Sequence, residues 1–459
     1  MSFFSWYLII LFLVLWIHVI EKCNSLSIDL IHHYSLKSPF YEPNLTHSDM
    51  IQRLLLSSRP KRIPFNNTSV DFDLKVIRPV LEPSNSGYLA KINLGTFSGQ
   101  QPTYKEYHLH FDTGSRMIWL QCEDCAKPGN RCFEQSGVPY PNRRSTSYMP
   151  LPCDDHLLCF PGQCIETHCS YTVQYVEGSY SHGILAYETL KFESSHQQRG
   201  EMVRVVIGCG HENEMVQFTK EAGIFGMSWG AHSFVNQVTG RSQGRFSYCL
   251  PPLTSDGYQQ ASTILRFGFD TPRVTGLHRL PIREHAGEPT YYVDLQGISI
   301  NGRRLNIPSA YFARTGPNKG GCIIDTGTSL TFISRPAYNI LKQQMMQHLA
   351  TADSSLQIGR TEGLLNLCYK RNPPFKGYNH LPTVTFHFTG GANLMLQRDI
   401  AFVVWDDNRG KENVCMVISP TDEDDVSIIG AQSQANHVFV FNLPAHVLYF
   451  GPRICAQNL

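Results

Sequence analysis

Charge is scarce in this chain, and long hydrophobic runs are missing beyond its first twenty residues. Asp, Glu, Lys and Arg make up 17% of 459 residues, and 39 basic against 38 acidic side chains leave a net charge of +1. That balance excludes the broad basic footprint of a nucleic-acid-binding protein. After Ile20 nothing approaches the roughly 18 unbroken apolar residues of a membrane helix, so no stable span is expected there. Helical periodicity is scarce too. It is clearest from Pro336 to Leu349, with Tyr338, Leu341, Met345 and Leu349 at helical spacing, and an amphipathic helix is also read around Ser48 to Leu56. His108 and His110 lack an evident third ligand, so no metal is assigned to them.

Turn residues, by contrast, are abundant: 35 Gly and 27 Pro break the chain into short apolar stretches. The pattern predicts a mainly β protein, and the length allows two domains with cores of their own.

One phrase occurs twice. Leu109-His110-Phe111-Asp112-Thr113-Gly114-Ser115 has a twin in Ile323-Ile324-Asp325-Thr326-Gly327-Thr328-Ser329. A single Asp-Thr-Gly reads as a polar turn. Here each copy ends a hydrophobic strand, and each is followed about 105 to 115 residues later by two apolar residues and Gly: Ile224-Phe225-Gly226 and Ile428-Ile429-Gly430. An ordered duplication predicts two similar lobes, each presenting one aspartate at their junction.

The N-terminus is apolar from Met1 to Ile20, and a signal peptide is expected over residues 1–25, with a signal anchor as the alternative. Export agrees with fourteen cysteines and with sequons at Asn44, Asn66 and Asn67. The expected destination is extracellular, with the vacuole as alternative. Cys23 falls at the edge of the signal; the other thirteen are an odd number, and Cys322, in the strand leading to Asp325, is the candidate free thiol. Residues 26–80 form a distinct leader with His32-His33 and the basic run Arg59-Pro60-Lys61-Arg62. They read either as a solvated arm or as a propeptide whose positive charges cover an acidic cleft. An N-terminal β lobe is assigned to 81–250 and a C-terminal β lobe to 251–459. Residues 121–170 are cysteine-dense with little periodicity, so disulfides rather than a core are expected to hold them. Tyr171 to Tyr180 reads as a hairpin with Gly178 at its tip. Asp422-Glu423-Asp424-Asp425 reads as a solvated loop.

The two phrases, with Trp119 after the first, resemble the paired active-site signatures of the pepsin family of aspartic proteases. The cysteine-rich insertion, Gly208-Cys209-Gly210, Phe246-Ser247-Tyr248-Cys249-Leu250, Cys368-Tyr369, Cys455 and the leader phrase Ile28-Asp29-Leu30-Ile31-His32-His33 are similar to the nepenthesin-type plant subgroup. The resemblance implies a bilobal pepsin-like fold with its cleft between two β lobes. It implies that Asp112 and Asp325 are catalytic, and that Thr113 and Thr326 lock the two loops together. Gly114 and Gly327 complete the signatures, while Ser115 and Thr328 bond the outer carboxylate oxygens. Tyr175 becomes the flap tyrosine, with Trp119 reached through water. It further implies the bridges Cys122–Cys125, Cys132–Cys209, Cys153–Cys169, Cys159–Cys164, Cys249–Cys455 and Cys368–Cys415. Two departures stand out: Val176 and Glu177 in the flap, and the bulky charge of Arg116 after the first signature.

The activity so implied is acid endopeptidase action on peptide or protein substrates, by a monomer without cofactor or metal, made as a zymogen that its own propeptide inhibits. Two other readings compete. One is a non-catalytic binding protein on the same fold, similar to plant xylanase-inhibitor proteins. The other is a zinc module centred on Cys122 to Cys169, which requires reduced thiols.

Overall fold

Two copies of one strand arrangement carry the duplicated phrase. Strand Lys105–Asp112 runs parallel to Gly223–Gly226, pairing Asp112 with Gly226, and Ile118–Gln121 returns antiparallel along the other side of that strand. In the second copy Cys322–Ile324 runs parallel to Ser427–Ile429, and Thr331–Ile333 returns antiparallel, with Phe332 opposite Ile428. Each apolar-apolar-Gly stretch is thus the middle strand between the two arms of an aspartate loop. Buried on both faces, such strands read as continuous apolar runs rather than alternating ones. The closing glycines are sterically required: a Cβ on Gly226 would lie 2.3 Å from Met117 O, and one on Gly430 2.0 Å from Leu330 O.

This computed structural model describes residues 25–57 and 87–455, apart from 100, 154–155, 160–161, 176–177, 193–200, 217–219, 253–261, 408–409 and 422–424. The apolar N-terminus up to residue 24, the basic run at 59–62, Asn66, Asn67 and most of the acidic run lie outside the described residues.

The lobes share one fifteen-stranded sheet. From the C-terminal side it runs through His437–Asn442, Arg245–Cys249 and Ser262–Gly268 to Ser25–His32, then to Tyr88–Leu94 and Lys105–Asp112. Strand Ser25–His32 therefore sits where the two lobes meet, pairing Ile28 with Leu265 and Leu30 with Ala90. Its alternating Leu26, Ile28 and Leu30 are all buried. The leader from 25 to 57 is not a solvated arm. Its helix, His47–Ser57, starts at a reciprocal cap between Thr46 and Asp49 and buries Ile51. The second helix of note, Arg335–Ala352, has Pro at its start and buries Tyr338, Leu341, Met345 and Leu349.

The insertion corrects two expectations. It has core residues after all: Tyr140 is fully buried and donates its hydroxyl to Glu188, and Leu151 is buried as well. The first-lobe bridges are Cys122–Cys209, Cys125–Cys132, Cys153–Cys164 and Cys159–Cys169, not the four implied by resemblance. Sheet register decides the first of them. Ile118–Gln121 runs parallel to Glu201–Glu214 with Leu120 opposite Cys209, which leaves the Cα atoms of Cys122 and Cys209 5.4 Å apart. Cys125, one turn further on, then faces Cys132 at a Cα separation of 5.0 Å. Cys164 and Cys169 are cross-strand neighbours, yet they bond away from each other, to Cys153 and Cys159. The second lobe carries Cys249–Cys455 and Cys368–Cys415, and Cys322 is a buried free thiol.

Candidate active site

Asp112 and Asp325, 213 residues apart, meet at the junction of the two loops, each with 1% of its surface exposed. A Cβ built on Gly114 would stand 2.8 Å from Asp325 Oδ1 and 3.2 Å from Asp112 Oδ1, so both inner oxygens border one point. A Cβ on Gly327 would lie 2.1 Å from Asp112 Oδ1. Glycine follows each Asp-Thr because the opposing carboxylate occupies that space.

Each carboxylate is held in the same way. Gly114 N–H donates to Asp112 Oδ1 at 2.7 Å and Ser115 Oγ–H to Oδ2 at 2.5 Å. Gly327 N–H donates to Asp325 Oδ1 at 2.9 Å and Thr328 Oγ1–H to Oδ2 at 2.7 Å. These bonds fix which oxygens face inward. Across the junction, Thr113 N–H donates to Thr326 Oγ1 at 3.1 Å and Thr326 N–H to Thr113 Oγ1 at 2.9 Å. The two loops are locked by reciprocal bonds in which backbone donors are satisfied by the other lobe.

The hairpin strands are His168–Gln174 and Tyr180–Phe192, and Gly178 takes φ +97 in the connecting turn. That conformation favours glycine. Tyr175 N–H bonds Ser179 O at 2.8 Å. The Tyr175 hydroxyl accepts directly from Trp119 Nε1–H at 2.9 Å, where resemblance had implied a water between them, and it lies 3.5 Å from Ser115 Oγ. A short chain of polar groups thus links this hairpin, the Trp119 indole and Asp112.

Sequence reasoning missed Gln434. Its amide donates to Asp325 O at 3.1 Å and Ile429 O at 2.8 Å, and its carbonyl accepts from Tyr248 O–H at 2.6 Å. The signal was its place four residues after Ile428-Ile429-Gly430, on the short helix Ala431–Gln434. His108 packs its ring against Phe40, 6.0 Å between centroids, and His110 is buried in the sheet. The zinc alternative needs thiolates, and all eight first-lobe cysteines are in disulfides. Asp124, Cys209 and His211 do bring potential ligand atoms within 4.8 Å of one another. There, however, the Cys209 sulfur is bonded to Cys122, and Asp124 is engaged by Asn142 and Arg143.

Two family models match the chain, "Xylanase inhibitor N-terminal" over residues 88–268 and "Xylanase inhibitor C-terminal" over 290–452. The aspartic proteinase nepenthesin-2 of Nepenthes gracilis is 28% identical, over 90% of this chain and 88% of that protein. Aspartyl protease family protein 2 of Arabidopsis thaliana is 30% identical, over 82% and 72%. The chain belongs to the pepsin family of aspartic proteases, in its nepenthesin-type plant branch. Basic 7S globulin from soybean, at a TM-score of 0.60 and 16% identity, covers 81% of this chain and 95% of its own, and shows the shared pepsin-like fold.

Proposed function

We propose that this member of the pepsin family is a secreted aspartic endopeptidase that cleaves peptide bonds at acidic pH and is made as a zymogen. The observation that carries the reading is the pair of inner oxygens, Asp112 Oδ1 and Asp325 Oδ1, bordering one point between the lobes. Two carboxylates so close do not both ionise cheaply and titrate as a pair, which is the general behaviour of this enzyme class. The ionised member takes a proton from a water between them, and that water attacks the peptide carbonyl. The protonated member donates to the developing oxyanion and then returns a proton to the leaving nitrogen. Ser115 and Thr328 hold the outer oxygens so that the inner pair keeps its aim. Raising the pH ionises both groups and removes the acid, hence the acidic optimum.

Residues 1–25 are proposed as the signal and 26–80 as the propeptide, the destination being extracellular, with the vacuole as alternative. The position of Ser25–His32 in the shared sheet supports a leader that leaves only after a trigger. The exposed Asn44 is available for glycosylation. The test is hydrolysis of a denatured protein from pH 3 to 7, with and without pepstatin, after leader removal. Acid-dependent, pepstatin-sensitive cleavage supports the reading; processed, folded protein that cuts nothing favours the binding-protein alternative.

A further inference from the structure

The duplication that builds the dyad is broken at one bond. In the first lobe the backbone after the middle strand holds the aspartate carbonyl: Met227 N–H donates to Asp112 O at 2.8 Å. The matching residue of the second lobe is Ala431, which follows Gly430 as Met227 follows Gly226. Its N–H goes instead to Thr328 O at 2.8 Å. The Asp325 carbonyl is taken by a side chain, the Gln434 amide, at 3.1 Å. The same amide nitrogen reaches Ile429 O at 2.8 Å, and Ile429 O also accepts Asp325 N–H at 3.2 Å. Gln434, fully buried, thus grips the backbone of Asp325 at both ends. Its orientation is set from the shared sheet. Tyr248 O–H donates to Gln434 Oε1 at 2.6 Å, which leaves both amide hydrogens for the two carbonyls. Tyr248 is itself held fast. It is buried in strand Arg245–Cys249, with its ring stacked on Phe439 at 5.5 Å and set edge-to-face with Phe111 at 5.5 Å and 75°. Phe111 immediately precedes Asp112. One tyrosine therefore bears on the first aspartate loop through its ring and on the second through its hydroxyl.

We infer that Tyr248 and Gln434 are a positioning pair that sets where Asp325 stands relative to Asp112. The inference rests on the endopeptidase reading above. The pair acts through the Asp325 carbonyl and the Phe111 ring rather than on the substrate, so its loss should lower kcat and leave KM nearly unchanged. Misplacing a reacting group by about an ångström costs up to about a hundredfold in rate. A purely structural pair would lower stability and leave the kcat of the folded molecules intact.

The test measures kcat, KM and, by circular dichroism, the folded fraction from pH 3 to 6 for leader-free wild type, Y248F, Q434M, Q434E and the double variant Y248F/Q434M. Per folded molecule, Q434M should lose at least about tenfold in kcat, with KM within about twofold of wild type. Y248F keeps the ring stack and should lose less. The double variant should be no slower than Q434M, since the hydroxyl acts through the amide. In Q434E a protonated carboxyl can still accept from Tyr248 and donate to one carbonyl, whereas the ionised form repels both. Its kcat relative to wild type should therefore be highest at pH 3 and fall as the pH rises. Where Q434M fails to fold, Y248F and the Q434E profile carry the test. The inference is overturned if the folded variants keep the wild-type kcat at every pH, or if the losses in Y248F and Q434M simply multiply in the double variant. If wild type cuts no peptide at any pH, the endopeptidase reading itself fails and this inference with it.

Discussion

Acidification should loosen the leader strand from the shared sheet, with His32 and His33 as the sensors. His32 ends the strand Ser25–His32 and is 1% exposed. Its Nδ1 accepts Tyr34 N–H at 3.3 Å, so the neutral ring carries its proton on Nε2. Protonating Nδ1 removes that acceptor and charges a buried ring. Burial accordingly lowers the His32 pKa from 6.5 to about 3. Once the leader is released, the ring regains its ordinary value. Below pH 6.5 the released state then binds more protons than the docked one. Docking is fully stable above 6.5 and weakens as pH falls toward 3. At pH 4.5 the gap of about two pH units amounts to roughly 2.7 kcal/mol, near a hundredfold in the docking equilibrium.

The surroundings act in the same direction with one exception. His33 is equally buried, and its pKa is pushed well down by burial first, then by His32, Lys220 and Arg53. Glu221, 3.7 Å from His33 Nε2, would attract a proton there and offset part of that shift. Tyr34 and Tyr88 place aromatic faces against His32, and Glu42 is held by Arg53. The assay is amide hydrogen exchange of residues 25–32 at pH 7 and 4.5, corrected for the intrinsic rate, in an Asp112→Asn background that prevents self-cleavage. The loss of protection should be about 2–3 kcal/mol smaller when His32→Phe is added to that background, the remainder coming from His33. Equal loss with and without His32→Phe would refute the reasoning.

Gly327→Ala should keep the fold and lose activity by about a hundredfold or more, because its Cβ would come 2.1 Å from Asp112 Oδ1 and displace the carboxylate; thermal melting and kcat/KM measured together check this. Thr326→Val leaves the buried Thr113 N–H without its acceptor and should cost about 1–3 kcal/mol in urea unfolding, with activity falling as the junction loosens. Arg371, fully buried, bonds Asp353 at 2.7 Å and Glu412 at 2.5 Å. Arg371→Met takes away the buried cation shared by two buried carboxylates, leaving Asp353 to Lys376 and Ser355 and Glu412 to Gly377 N–H, and should cost about 3–5 kcal/mol. Burial alone would raise the Asp353 pKa, but bonds from Lys376, Ser355 and Arg371 outweigh it and hold it below the usual range. That network therefore stabilises the second lobe above the ordinary carboxylate pKa, and the contribution fades as pH falls through the lowered value; Arg371→Met should flatten that part of a melting-temperature profile.

The dyad was legible because its information is local. Seven contiguous residues supply the feeding strand, the carboxylate, the cross-lobe threonine, the glycine that makes room and the hydroxyl that bonds the outer oxygen. The stretches Ile224-Phe225-Gly226 and Ile428-Ile429-Gly430 were legible for a similar reason, as apolar runs ending in a required glycine, though not their place as middle strands. The second-lobe bridges and the free Cys322 agree with the expectation, but the first-lobe bridges do not, because seven cysteines between 122 and 169 leave the partner of Cys122 to the register between Ile118–Gln121 and Glu201–Glu214, which is set by contacts about 90 residues apart. The place of the leader strand was hidden likewise: Leu26, Ile28 and Leu30 declare a buried face but not that Ser262–Gly268 and Tyr88–Leu94 flank it. Tyr140 escaped notice because one buried aromatic in a polar, proline-rich stretch carries no periodicity. Gln434 escaped because its role is to hold backbone carbonyls.

The central claim is that Asp112 and Asp325 act as one unit. The most direct measurement is kcat/KM at acidic pH for leader-free wild type, Asp112→Asn and Asp325→Asn, with thermal melting to confirm that all three are folded. The account predicts that each substitution lowers the rate by about a thousandfold or more, since either loss removes the shared proton chemistry. Substantial cleavage by either folded variant would contradict it.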